Sequence, residues 1–261
     1  MSLSPENIKS IESTIRVSLR NKFQNYKPES KNMPFHFRLL GKDRMALYSF
    51  IHSINTSFGT SIFEPVAVAL AKIRFASAEA QHTPGNRISV GAQVVIQNII
   101  NDLSAATKDT NKAEEIERIR AVCRKGKMKI SPTVNADLFI QDFKGAMYLF
   151  DIKTAKPNIS GFKDHKRTLL EWCAIKLAQN PEAEVHTLIA IPYNPYEPEP
   201  YQRWTLKGML DLTEELKVAN EFWDFLGGDG SYEELLNCFE RVGIELRDEV
   251  DRYFARFTLL T

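Results

Sequence analysis

Three residues carry the strongest chemical signal in this sequence: Asp137, Asp151 and Lys153. Asp137 lies in the run VNADLFIQ (134–141), and Asp151 and Lys153 lie in AMYLFDIKT (146–154). These two short, apolar-rich runs flank Asp142-Phe143-Lys144-Gly145, so the segment reads as a β-hairpin. With the turn centred near Lys144, Asp137 falls opposite Asp151. Side-chain alternation then puts Asp151 and Lys153 on one face and sends Phe150 and Ile152 to the other, into a core. Two carboxylates opposed across a ladder repel each other, and a half-buried sheet strips both of water. A divalent cation compensates. Asp137, Asp151, the main-chain carbonyl of Ile152 and several waters make the hard oxygen shell that Mg²⁺ prefers, with positions open to a phosphate oxygen. The expected chemistry is hydrolysis of a phosphodiester, with Lys153 holding water in line and offsetting charge in the transition state.

The rest of the chain supplies elements to hold that hairpin. Ser4-Pro5-Glu6 starts a helix that carries Ile8, Ile11, Ile15 and Leu19 and runs to about residue 23. The polar stretch 24–34 is a linker, which divides the chain into an N-terminal part (1–34) and one larger domain (35–261). Helical spacing recurs over 43–57. A further helix is expected from Ser61 to Ala80, opened by the capping-box pattern Ser61-x-x-Glu64. Helices follow over 90–106 and 112–123. The hairpin comes next, then a helix over 160–179 with Ser160 as its cap, a buried strand over 185–192, and helices over 213–226, 232–242 and 244–257. Gly227-Gly228-Asp229-Gly230 lacks the Lys-Ser/Thr of a phosphate loop and reads as a helix end and turn, and Phe222, Trp223 and Phe225 read as packing residues.

Composition narrows the possibilities. Of 261 residues, 43% are apolar and 26% charged, and 34 Lys and Arg offset 33 Asp and Glu, so wholesale disorder is excluded. A net charge of +1 means that any phosphate-binding surface must come from local clustering. Cys123, Cys173 and Cys238 are far apart, and the five histidines form no metal-ligand spacing, nor does any nucleophile motif occur. The N-terminus lacks the apolar core of a signal peptide and no run approaches a membrane span, so a cytoplasmic location is expected.

Asp137 followed fourteen positions later by Asp151-Ile152-Lys153 resembles the PD-(D/E)XK nuclease signature, with Ala136 where the family name has Pro. The implied fold is α/β (α+β): a central mixed β-sheet of the restriction-endonuclease-like core (about 61–192), flanked by helices, with helical N- and C-terminal additions, the latter over 205–261. By that resemblance Asp137 and Asp151 are metal ligands and Lys153 is the catalytic lysine. Glu64 is similar to the helix carboxylate that many superfamily members add to the site, although the capping box also explains it. More narrowly, IFEPVA, NADLFI, FDIKTAKPN and FWDFLGG resemble type II restriction endonucleases of the TdeIII kind, a group associated with GGNCC-type sites. The resemblance implies Mg²⁺-dependent cutting of double-stranded DNA that leaves 5′-phosphate ends. A palindromic or near-palindromic site would call for a twofold homodimer, and whether a companion DNA methyltransferase, not physically required, accompanies the chain stays open. Two alternatives stay open: a structure-selective or repair nuclease with the same core, and a non-catalytic DNA-binding module in which Asp151 and Lys153 form a plain ion pair.

Candidate DNA contacts follow from position. Lys156, Lys163, His165, Lys166 and Arg167 lie just past the second hairpin strand and can neutralise phosphates, or simply solvate a helix start. Arg124, Lys125 and Lys127 form a basic patch before the hairpin. Asn194, Tyr196, Gln202 and Arg203 fall in a proline-rich loop after the last core strand, as candidate base readers.

Overall fold

The computed structural model describes residues 3–25, 33–132, 134–153, 161–202 and 208–258. Its strands are β1 (Ser77–His82), β2 (Arg87–Ser89), β3 (Met128–Ile130), β4 (Ala136–Gln141), β5 (Met147–Ile152), β6 (Val185–Ile191) and β7 (Leu216–Val218). Its helices are α1 (Pro5–Asn25), α2 (Pro34–Leu40), α3 (Lys42–Phe58), α4 (Glu64–Ala71), α5 (Val90–Ser104), α6 (Lys112–Arg120), α7 (Phe162–Gln179), α8 (Asn220–Gly227), α9 (Ser231–Glu245) and α10 (Arg247–Thr258). Five strands form one sheet in the order β1-β4-β5-β6-β7, and β2 and β3 make a separate two-stranded ribbon.

The hairpin forms where its turn residues direct it. The Asp142 side chain accepts hydrogen bonds from the Lys144 and Ala146 amides at 2.8 and 2.9 Å, and Gly145 supplies the positive φ of 94° that closes the turn. Leu138 then faces Phe150 and Gln141 faces Met147. One step further, the same register sets Asp137 against Asp151, as the turn position predicts. β5 pairs parallel with β6. A parallel pair needs a crossover, and α7 provides it. The result is a mixed α/β fold with helices on both faces of the sheet.

Alternation divides the core. Leu138, Ile140, Phe150, Ile152, Leu188 and Ala190 pack with buried residues of α1, α4, α8 and α9. Phe139, Leu149, Val185, Ile189 and Ile191 pack with α5, α6 and α7. Among the described residues both buried indoles are satisfied: Trp172 donates to the Val134 carbonyl at 2.8 Å and Trp223 to the Pro192 carbonyl at 2.7 Å. Ser4 caps α1 through the Asn7 amide at 3.2 Å, with Pro5 at the first helical position. α1 then runs alongside α9 and α10, tied by Glu12–Arg241, Arg16–Glu245 and Arg20–Glu249, each 2.6 Å and spaced four residues apart.

Three regions depart from the sequence-based expectation. The helix expected from Ser61 to Ala80 ends at Ala71, and residues 77–82 pair with β4 as an edge strand. Only Ala78 of β1 is buried, so no period-two pattern marks it, while its alanines favour a helical reading. Residues 213–226 do not form one helix. The Ile189 amide donates to the Glu215 carbonyl and the Ala219 amide to the Ile191 carbonyl, both at 2.8 Å, which recruits 216–218 into the sheet before α8 begins. Helix α2 and the β2–β3 ribbon were not foreseen. The glycine tract 227–230 is a helix end and turn as expected, with Gly228 and Gly230 at φ 100° and 84°. Among the described residues no helix is long and apolar enough to cross a membrane.

Candidate active site

The hairpin, the end of β1, the start of α4 and the first turn of α7 meet around Asp137 and Asp151. Asp151 is buried near the end of β5, and its Oδ1 lies 2.6 Å from Lys153 Nζ. Its other oxygen lies 3.5 Å from Nδ1 of His165 on α7. The Lys153 backbone is fixed by its amide, which donates to the Ala190 carbonyl at 2.9 Å. Across the ladder, Asp137 Oδ2 accepts the Ile152 amide at 2.7 Å. Gln81, at the end of β1 in the left-handed region (φ 52°), donates to Glu64 Oε2 at 2.8 Å and reaches Asp137 Oδ1 at 3.4 Å.

The partners of each carboxyl separate the two aspartates electrostatically. Desolvation, reinforced by the nearby charges of Asp151 and Glu64, pushes the Asp137 carboxyl up to about 7. Burial also acts to raise Asp151, but the hydrogen bond from His165 and the charge of Lys153 outweigh it and hold that carboxyl below its ordinary value. Glu64 is raised by desolvation and only partly relieved by Gln81. Two of the three carboxyls, Asp137 and Glu64, therefore bind a proton more tightly than usual.

This donor set fits a hard divalent cation. Asp137, Asp151 and the Ile152 carbonyl offer oxygen alone, and the raised Asp137 marks where positive charge is wanted. Among the described residues no three His, Cys, Asp or Glu side chains converge at ligand spacing, so the set is two carboxylates and a carbonyl completed by solvent or phosphate.

The capping-box explanation of Glu64 is overturned. Ser61 lies within a π-helical turn (Gly59–Phe63), α4 has no side-chain cap, and Glu64 is turned inward, 4% exposed, to meet Gln81. Gln81 itself escaped sequence reasoning, because it sits on a polar edge strand with no apolar alternation to reveal it.

With this geometry in place, comparison with known proteins gives a consistent answer. Residues 3–243 match the family model described as type II restriction endonuclease, HinfI. The chain belongs to the HinfI family of type II restriction endonucleases. It is 27% identical over 225 residues to the type II restriction enzyme HgiCII of Herpetosiphon aurantiacus, an alignment spanning 84% of this chain and 80% of that protein. It is 26% identical over 244 residues to the type II restriction enzyme MjaII of Methanocaldococcus jannaschii, spanning 83% and 64% of the two chains. HgiEI of Herpetosiphon aurantiacus aligns at 27% over 221 residues, 83% and 79% of the two. Enzymes of this family are site-specific deoxyribonucleases acting on double-stranded DNA, and type II restriction endonucleases generally use a divalent metal. The match spans every residue of the site, from Glu64 to His165.

The basic residues expected to hold DNA in this HinfI-family enzyme fall into distinct groups. Lys163 is exposed on the first turn of α7, and Lys125 and Lys127 are exposed between α6 and β3. His165 faces Asp151, and Arg167 donates to Gln97 at 2.8 Å. Lys166 is a correction: it is wholly buried, 2.5 Å from Glu115 and 2.6 Å from Glu215, with no surface for a phosphate. Glu215 also meets Lys112 at 2.6 Å, and Lys112 donates to Thr187, closing a buried network between α6, α7 and the sheet. Burial acts to raise Glu215, but its two lysines hold it below its ordinary value. Arg124 spends its guanidinium on the last carbonyls of α7, Ala178 at 2.9 Å and Gln179 at 2.7 Å. Asn194 is likewise spent on its own loop, donating to Glu199 and accepting from the Tyr196 amide. Gln202 is exposed. Lys156, Ser160 and Arg203 lie outside the described residues.

Proposed function

We propose that the chain is a Mg²⁺-dependent restriction endonuclease that hydrolyses both strands of a defined DNA site through Asp137, Asp151 and Lys153, leaving 5′-phosphate and 3′-hydroxyl ends. The observation that carries this reading is the convergence of two desolvated aspartates across the β4–β5 ladder with an amine 2.6 Å from one of them. Asp137, Asp151 and the Ile152 carbonyl hold the cation. When bound, it neutralises phosphate charge and acidifies water.

The protein's own groups do the rest. Lys153, partly exposed and anchored by its backbone to β6, presents an ammonium to the reacting phosphate, where it orients water and offsets developing charge. His165 fixes the outer oxygen of Asp151, and the Ile152 amide fixes one oxygen of Asp137, leaving the second toward the site. Gln81 links Glu64 to Asp137, which supports a role for Glu64 beside the metal ligands. Cutting both strands of a palindromic or near-palindromic site calls for a twofold homodimer with one site per strand. A GGNCC-type sequence is the specificity implied by the TdeIII resemblance, and a companion methyltransferase protects host DNA without needing to bind this chain.

The test is digestion of a sequenced supercoiled plasmid with Mg²⁺, with fragment ends read. Lys153→Ala is expected to lower cutting by roughly a hundredfold or more while leaving DNA binding intact. Undiminished cleavage by Asp151→Ala protein refutes the assignment.

A further inference from the structure

We infer that the β2–β3 ribbon is the element that enters a DNA groove, and that Arg87 on it reads a guanine. This rests on the nuclease reading above and specifies how that enzyme chooses its sequence.

The first observation is charge. The chain as a whole is balanced, yet residues 83–101 and 118–136, the limbs that build and flank the ribbon, contain no Asp or Glu. The second limb alone carries six Lys or Arg. Arg16, Arg20, Arg118, Arg120 and Arg241 are each paired with a carboxylate. Arg87 is exposed and has no such partner among the described residues; Lys125, Lys127 and Lys129 are also exposed, Lys129 on the opposite face of the ribbon as the partner of Ile88. Exposed cations without carboxylate partners on segments that carry no acid of their own favour a polyanion.

The second observation is shape. Arg87 pairs with Ile130 in the antiparallel ribbon, so both side chains project from one face. Ile130 is 77% exposed, whereas the next residue, Ile88, is 1% exposed and roots the ribbon in the core. A two-stranded ribbon of this width fits the major groove, where an Arg fork meets guanine O6 and N7 and an apolar side chain meets the thymine methyl.

The third observation is position. Ribbon and site share both connections: the chain leaves β1 just after Gln81 to enter β2, and leaves β3 to enter β4 just before Asp137. Arg87 comes six positions after Gln81, so they stand at most about 22 Å apart. That is the length of about six base pairs. The root is rigid, because Gly85 (φ 125°) packs so closely on Gln179 and Ile175 that a Cβ there would lie 2.6 Å from the Gln179 amide nitrogen, and Gln179 donates to the Pro84 carbonyl at 3.0 Å. The carboxylates and the ribbon can therefore engage one short site together.

The experiment uses duplexes carrying the site found by wild-type digestion, with each guanine replaced in turn by 7-deazaguanine, which lacks the N7 acceptor. For wild type, replacement of one guanine per half-site is expected to slow cleavage roughly ten- to a hundredfold. For Arg87→Ala, the same replacement should change the rate by no more than about twofold, while replacements elsewhere keep their wild-type effect. Arg87→Lys retains charge without the planar fork and should lose the same discrimination; it carries the test should the alanine variant fold poorly. Variants that melt as wild type yet keep every replacement effect, or lose rate equally on all duplexes, overturn the assignment of Arg87 while Asp151-dependent cutting leaves the nuclease reading standing. Absence of any cutting by wild type overturns both.

Discussion

Replacing Asp137 by asparagine should make the metal-free protein more stable and the enzyme inactive. The folded state holds the Asp137 carboxyl at about 7 against an ordinary value of 3.8, chiefly by desolvation and then by the charge of Asp151. At about 1.4 kcal/mol per tenfold change in proton affinity, keeping it ionised at pH 8 disfavours the fold by about 4 kcal/mol, and solvent screening at this half-buried side chain lowers the figure to roughly 2 kcal/mol. Asparagine removes the charge and keeps an oxygen for the Ile152 amide, now 2.7 Å away. The sign follows from linkage. A raised carboxyl binds its proton more tightly in the folded state, so the wild-type penalty is absent below about pH 4, grows between pH 4 and 7, and is complete above. Thermal melts in chelator should therefore show Asp137→Asn raising Tm by roughly 4–8 °C at pH 8 and leaving it unchanged near pH 4. Added Mg²⁺ should stabilise wild type and not D137N, since only the wild-type pair offers two anionic ligands. Equal melting at pH 8, or equal stabilisation of both proteins by Mg²⁺, refutes the claim that Asp137 is destabilised in order to receive a cation.

Other substitutions probe the supports of the site. Gln81→Met keeps volume but removes the donor to Glu64, and plasmid cleavage is expected to fall about tenfold with little change in Tm. His165→Ala removes a group that holds the Asp151 carboxyl below its ordinary value; that stabilisation is present at neutral pH and lost as pH falls, so acid unfolding followed by circular dichroism should begin at a higher pH in the variant. Lys166→Met leaves Glu115 and Glu215 without their shared cation in a buried setting, with an expected loss of about 3–5 kcal/mol by urea titration. Gly85→Ala forces a Cβ against Gln179 and Ile175 at a positive φ, and should lower stability by about 1–3 kcal/mol in the same assay.

Much of the site was legible because its signals are local. Asp142 and Gly145 specify a tight turn from their own chemistry, the turn sets the register, and strand alternation carries that register to Asp137, Asp151 and Lys153 without reference to the rest of the molecule. The helices with strong apolar stripes, α1, α5 and α9, were legible for the same reason.

What the sequence by itself determined is the hairpin, its acid pair and lysine, and the alternation of helix and strand that requires a mixed sheet. The tertiary structure alone decided which other groups reach that pair. Ser77–His82 and Leu216–Val218 become strands because β4 and β6 present unpaired edges to them, not because their own side chains alternate. Glu64 is turned from a helix start into the site by a residue seventeen positions away. Lys166 and His165 are neighbours in a basic run, yet rotation about α7 sends one into a buried carboxylate network and the other onto Asp151. A helix's own sequence does not state which of its faces another element will cover; burial and charge pairing are settled only when the layers close over one another.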